Sequence, residues 1–192
     1  MARTKSIDDA QLLERLSAVF QTYGYEGASL GRISEATGLQ RASLYHRFPG
    51  GKVAMAEAVL DAAAQKVLDE VTAPLRTNAP PRERIVGMAD EVDRFYLGGK
   101  MSCLLDSMSF AGSEESLTRR VEGAMSAWTA EIAAVFRAAG LDDDTARESA
   151  IEMMIRIQGS LVFARATQNR EPFRRALATL PDLLPEIDPA QA

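Results

Sequence analysis

The sequence predicts an all-α protein: an N-terminal three-helix helix-turn-helix module followed by a helical bundle, about nine helices in all. Three observations point there. Strand signals are nearly absent, with no alternating β-branched runs and no Asn-Gly or Asp-Gly hairpin turns. Apolar residues recur instead at the 3.6-residue helical period, punctuated by Gly, Pro, Ser and Asp where helices would start and stop. Charge is also divided unevenly along the chain. The 192 residues carry a net charge of −5, yet residues 1–52 hold Arg3, Lys5, Arg15, Arg32, Arg41, Arg47 and Lys52 against Asp8, Asp9, Glu14, Glu26 and Glu35, a balance of +2 that leaves −7 on the rest. A basic front on an acidic chain is the distribution expected of a nucleic-acid module joined to a different one.

Each element follows from local chemistry. Ser6 or Asp8 can cap a first helix whose Leu12, Leu13, Leu16, Val19, Phe20 and Tyr23 form one apolar stripe, with Gly24 as its end. Ser29 caps a short second helix carrying Leu30, Ile33 and Ala36, and Gly38 closes it. A third runs from about Gln40 to Phe48, and Pro49-Gly50-Gly51 breaks the chain. A long Ala-rich helix is expected from Lys52 to about Thr72. Pro81 suits the first turn of a fifth, which should end near Gly98-Gly99. A short apolar segment, Met101 to Ala111, precedes a helix from about Glu114 to Ala139. An eighth begins in Asp142-Asp143-Asp144, whose charges favour a helix N-terminus, and reaches about Gln168. A ninth runs from Glu171-Pro172 to about Leu180, before a Pro-rich tail.

Composition removes several function classes. A single cysteine, Cys103, excludes an intrachain disulfide, and a single histidine, His46, excludes Cys/His zinc motifs. No run reaches the ~18 apolar residues of a membrane span. The basic start meets Asp8 and Asp9 before any apolar signal region forms, so a cytoplasmic protein is expected. Residues 53–192 contain no Gly-x-Ser-x-Gly elbow, no phosphate loop and no His-Glu-x-x-His, so neither an enzyme nor a cofactor is expected.

The third helix carries the most functional information. Leu44 and Phe48 lie one turn apart and point at the core, whereas Ala42, Ser43, His46 and Arg47 leave from the other side with Arg41 and Tyr45 on the flank. Such a face fits a major groove: Arg reads guanine bidentately, Ser and the Ala methyl meet base edges, and Tyr, His and Arg reach phosphate. The string Tyr23-Gly24-Tyr25-Glu26-Gly27-Ala28-Ser29, then Ile33-Ser34-Glu35-Ala36-Thr37-Gly38-Leu39, then Ser43-Leu44-Tyr45-His46-Arg47-Phe48 and Lys52, closely resembles the DNA-binding domain of the TetR family over about residues 8 to 60.

That resemblance implies roles. Ser29 would bind phosphate at the start of the second helix; Arg41, Ala42, Ser43 and in part His46 would face bases; Tyr45, Arg47 and Lys52 would hold phosphates. Gln40 stands where Ser or Thr is more usual, which alters the cap of the recognition helix. The long linker Pro49-Gly50-Gly51-Lys52, with Cys103-Leu104-Leu105-Asp106 and Gln158-Gly159-Ser160-Leu161, looks like the subgroup that includes the LmrA and YxaF repressors. The expected partition is residues 1–52 for DNA and 53–192 for ligand binding and dimerisation.

Within the rear part, the eighth helix is apolar on two sides. Ala150, Met154, Ile157 and Leu161 form one stripe and Ile151, Ile155 and Val162 a second, about 100° around. The second stripe asks for another partner, and a homodimer formed by the eighth and ninth helices would bury it. Phe95, Met101, Met108, Phe110, Met125, Trp128, Met153, Gln158 and Phe163 compose a mostly apolar lining suited to a small lipophilic or aromatic effector. The expected function is a repressor that binds a palindromic double-stranded operator as a homodimer and is released by that effector. The alternative is control by a protein partner or by oxidation of Cys103.

Overall fold

The structure, a computed structural model, describes residues 7–109 and 114–185. Ser6 and Phe110, both named above, lie outside the described residues. The chain divides into two compact units: Met1–Ala64 with Leu104–Gly123, and Gln65–Cys103 with Ala124–Ala192. Nine α-helices and no strand occur among the described residues.

The first unit begins with α1 (Asp9–Gly27), α2 (Leu30–Thr37), α3 (Arg41–Arg47) and α4 (Gly51–Lys66), the last of which continues past the unit boundary. Asp8 caps α1 by accepting from the Gln11 N–H at 2.8 Å, and Leu12, Leu16, Val19 and Phe20 are buried, as are Ile33, Leu44, Met55, Val59 and Leu60 of the following helices. Ser29 caps α2 by accepting from the Arg32 N–H at 3.3 Å, and Gly38 ends it in the left-handed conformation. Gly24 does not end α1. It sits at φ 64, ψ −179 and kinks the helix, after which residues through Gly27 resume helical bonding. The short α6 (Leu104–Met108) packs against α1 there, so closely that a Cβ on Gly24 would stand 3.3 Å from the Ser107 carbonyl oxygen. Position 24 thus needs glycine for both its φ and its lack of side chain.

The second unit starts in the long Ala-rich helix expected to reach Thr72. The α-helical pattern stops at Lys66, and Val67–Val71 winds as a π-turn in which the Thr72 N–H reaches the Val67 carbonyl at 3.0 Å. Pro74, which has no N–H to donate, then forces a 3-10 turn over Ala73–Arg76. Helix α5 (Pro81–Phe95) opens on proline and stops short of Gly98-Gly99, because Tyr96 to Lys100 close a series of turns instead. Helix α7 (Glu115–Ala138) starts in the first unit, where Arg120 pairs with Asp61 at 3.0 Å, and ends in the second. Helix α8 (Asp143–Thr167) is capped by Asp142, which accepts from the Thr145 N–H at 3.0 Å and its hydroxyl at 2.7 Å; those bonds hold the carboxyl below its usual range. Helix α9 (Glu171–Thr179) packs on α8 and α5 and runs into a 3-10 turn over Leu180–Leu183. Trp128, Ile132, Phe136, Met153, Ile157 and Phe173 are all fully buried in this unit. No described helix is long and apolar enough to cross a membrane.

Candidate nucleic-acid interface

One turn of polar chain separates the inward and outward faces of α3. Leu44 is buried completely, while Arg41, Ala42, Ser43, Tyr45 and His46 are exposed. None of those exposed side chains takes a hydrogen bond or ion pair from another described residue. Arg41 stands in the first turn of α3, Tyr45 lies over the backbone of Gly51, and Gln40 caps the helix without a side-chain bond. Helix α3 therefore presents a fixed backbone with an uncommitted polar edge, in the shape a groove reader requires.

Two of the basic residues assigned to phosphate are engaged within the chain. The Arg47 guanidinium donates to the Ile7 carbonyl at 2.8 Å and meets the Asp9 carboxylate at 3.1 Å, tying the end of α3 to the start of α1. The Lys52 ammonium donates to the Tyr25 carbonyl at 3.0 Å and lies 4.1 Å from the centre of the Tyr25 ring. An ammonium has three donors, so Lys52 keeps capacity for a phosphate oxygen while its stem is held. Tyr25 is itself buried, its ring stacked on Phe20 and its hydroxyl donating to Glu114 at 3.4 Å; burial first and the Glu114 charge second push its pKa up to about 12.

Ser29 Oγ is spent on capping α2 through the Arg32 N–H, and Ser29, Gly31 and Arg32 are exposed there. Sequence reasoning passed over Arg32, in the same first turn. Its guanidinium donates to the Gly27 carbonyl at 2.6 Å and lies 4.3 Å from the centre of the Tyr23 ring. The contact with Tyr23 joins residues nine apart across the α1 kink, which no helical spacing foretells. Arg15 performs a purely internal task, donating to the Ala36 and Thr37 carbonyls at the end of α2.

The residues grouped as an effector lining are distributed differently. Trp128 and Met153 are fully buried in the second unit, Phe95, Met101 and Met125 are half-buried there, and Phe163 is 55% exposed on the outer side of α8. Met108 is buried in the first unit, and Phe110 lies outside the described residues. Both amide atoms of Gln158 and the indole nitrogen of Trp128 are buried with no hydrogen-bond partner among the described residues. Such groups are rare, and each costs ~1 to 3 kcal/mol unless something outside the chain completes it. Along α8, Ala150, Met154, Ile157 and Leu161 are buried, whereas Ile151, Ile155 and Val162 stand 41%, 60% and 45% exposed. Cys103 is buried and accepts from the Tyr96 hydroxyl at 3.4 Å. Among the described residues no three carboxylate, His or Cys side chains gather as metal ligands.

Comparison with known proteins agrees with this geometry. Residues 12–59 match the model of TetR family bacterial regulatory proteins, and residues 84–179 match that of the C-terminal domain of LmrA/YxaF-like transcriptional regulators. The HTH-type transcriptional regulator LmrA of Bacillus subtilis is 23% identical over 183 residues, covering 91% of this chain and 95% of its own. A TetR transcriptional regulator from Legionella pneumophila superposes with a TM-score of 0.84 at 17% identity, over 95% of this chain and 100% of its own. The TetR family regulator CifR, solved with a 26-bp operator duplex, superposes at 0.79 with 22% identity, over 95% and 100%.

Proposed function

Because the chain belongs to the TetR family of bacterial regulators, in its LmrA/YxaF-like branch, we propose that it is a cytoplasmic repressor that grips a palindromic operator as a homodimer and releases it on binding a small apolar or aromatic effector. Regulation of transcription through DNA is the family's work, and its members are not enzymes. The observation that carries the reading is the outer face of α3. Arg41, Ala42 and Ser43, with His46 at their side, would read base edges; Tyr45, Lys52 and the α2 start at Ser29 would hold the backbone, with Arg32 added to that set. Arg47 would serve chiefly by fixing α1 against α3. The partition at residue 52 follows function and places the DNA-reading residues in 1–52, with 53–192 for effector and dimer.

Two copies are needed because a single head reaches only the weak affinity of non-specific binding, Kd ~10⁻⁴ to 10⁻⁶ M. The exposed Ile151, Ile155 and Val162 of α8 supply the dimer seam, and Phe163 extends it. Gly159 belongs to the same side; a Cβ there would meet nothing within the protomer, so its absence serves the approach of a second backbone. For the effector, the unpartnered Gln158 amide and Trp128 indole favour a compound with one polar group on an aromatic body, lodged with Phe95, Met101, Met125 and Met153. The burial of Cys103 favours this over oxidation as the signal.

The test is anisotropy with operator fragments selected from random duplexes. Two dimer-related half-sites, with centres one helical turn (roughly 34–36 Å) or a multiple apart, are expected to emerge. Failure to enrich any sequence, or enrichment that survives Arg41→Ala with Ser43→Ala, would overturn the DNA assignment. For induction, an aromatic library is screened by melting shift and hits are titrated with and without operator; equal affinities in the two titrations would exclude the effector mechanism.

A further inference from the structure

The second unit contains a groove that none of these roles uses. It has a volume of about 350 Å³ and is lined by Gly99, Lys100, Ala164, Arg165, Gln168 and Arg170, where the turn after α5 meets the connection from α8 to α9. Arg174, from the next turn of α9, lines an adjoining groove with Asp93. The Arg174 guanidinium, the Asp93 carboxylate and the Arg170 guanidinium lie 3.5, 3.8 and 4.0 Å from the place a Cβ on Gly98 would occupy, so two cations and one acid surround one point.

Four cations therefore gather in one region of a chain whose net charge is −5. Lys100, Arg165, Arg170 and Arg174 make no side-chain hydrogen bond or ion pair with another described residue. Of the two acids nearby, only Asp93 offsets them, and in part. Glu171 is taken by Arg175 at 3.5 Å, and Asp93 leaves Oδ1 buried without a hydrogen-bond donor. Attraction to the carbonyl end of α8 accounts for Arg165 in its last turn. It does not account for Lys100 or Arg174, which come from other elements, and the Arg165 and Ala164 carbonyls are already met by the N–H groups of Gln168 and Asn169. Four cations facing one carboxylate leave a positive excess that an anion completes, and guanidiniums bind planar oxyanions through paired N–H groups.

We propose that this groove is an anion site, distinct from the effector lining, that takes a small molecule bearing at least two phosphate or carboxylate groups. Its volume suits a compact polyanion, with Arg170, flanked by Arg174, on one acidic group and Lys100 and Arg165 on another. An acidic segment of a second copy is the competing occupant.

Calorimetric titration of the full-length protein with pyrophosphate, and separately with citrate, tests the site and tells phosphate from carboxylate. Saturable binding of one of them is expected, weakened at least ~10-fold in Arg170→Ala/Arg174→Ala and in Lys100→Glu, with operator binding unchanged. Arg41→Ala serves as the control and should bind the anion as the parent does. Equal binding by all variants would overturn the proposal, as would a loss confined to Arg41→Ala, which would place the anion on the DNA face. No saturable binding of either probe would overturn it too. So would a smaller sedimenting mass for the double variant with anion binding intact, since the groove would then belong to the partner copy.

Discussion

Two helices of this protein each leave one face uncovered, and the faces are opposite in chemistry. On α3 the exposed side is Arg41, Ala42, Ser43, Tyr45 and His46; on α8 it is Ile151, Ile155, Val162 and Phe163. Water satisfies the first face, which can stay open indefinitely, as the DNA contact proposed for it requires. Water is a poor neighbour for the second. The four α8 side chains stand 41% to 60% exposed, an apolar start on the ~800 Å² that each partner of a stable complex contributes. A polar face suits a reversible, salt-sensitive contact, and an apolar one suits a lasting contact. This is the division of labour a dimeric reader of DNA needs.

The largest effect is expected from the apolar face. Ile155→Asp, with Ile151→Asp if one charge is insufficient, should reduce the sedimenting mass from about twice 20.9 kDa to the monomer value and cut operator affinity by ~1000-fold or more, towards non-specific binding. A variant that stays dimeric would move the seam elsewhere. On the polar face the change should be smaller and selective: Arg41→Ala should cost ~1 to 3 kcal/mol and relax preference at a single base pair in a binding-site selection. A uniform loss at every sequence would instead make Arg41 a phosphate ligand.

Gln158→Leu probes the interior behind the apolar face. Removing two buried, unbonded amide atoms should leave the ligand-free protein as stable or ~1 kcal/mol more so by urea denaturation, while weakening the effector by ~10-fold. Marked destabilisation would mean that the amide serves the fold. Tyr25 gives the smallest signal. With its pKa pushed up to about 12, the folded chain keeps a proton that the unfolded chain releases near 10, so the resulting stability is complete below about pH 10 and fades as pH rises through 12. Tyrosinate absorbance should show one of the four tyrosines titrating last, and Tyr25→Phe should flatten the alkaline fall in stability.

What the amino-acid order determined by itself was everything governed by neighbours within a turn. The 3.6-residue periods placed the helices, Ser29 placed one cap, the acidic run from Asp142 and the choice of Ser6 or Asp8 placed two further helix starts, and the two stripes of α8 separated into a buried and an exposed set. The polar edge of α3 was legible for the same reason, since face membership on a helix follows from spacing alone. Only the tertiary structure decided what depends on distant partners. Gly24 reads as a stop, yet it is a kink because α6, some eighty residues on, comes to lie against it. Arg47 and Lys52 read as free cations, yet one is held by Ile7 and Asp9 and the other by Tyr25. The unpaired state of the Gln158 amide and the gathering of Lys100 with Arg165, Arg170 and Arg174 have no local signature either. Burial and charge convergence are sums over the whole surroundings of an atom, and packing brings those surroundings together from segments that the sequence keeps far apart.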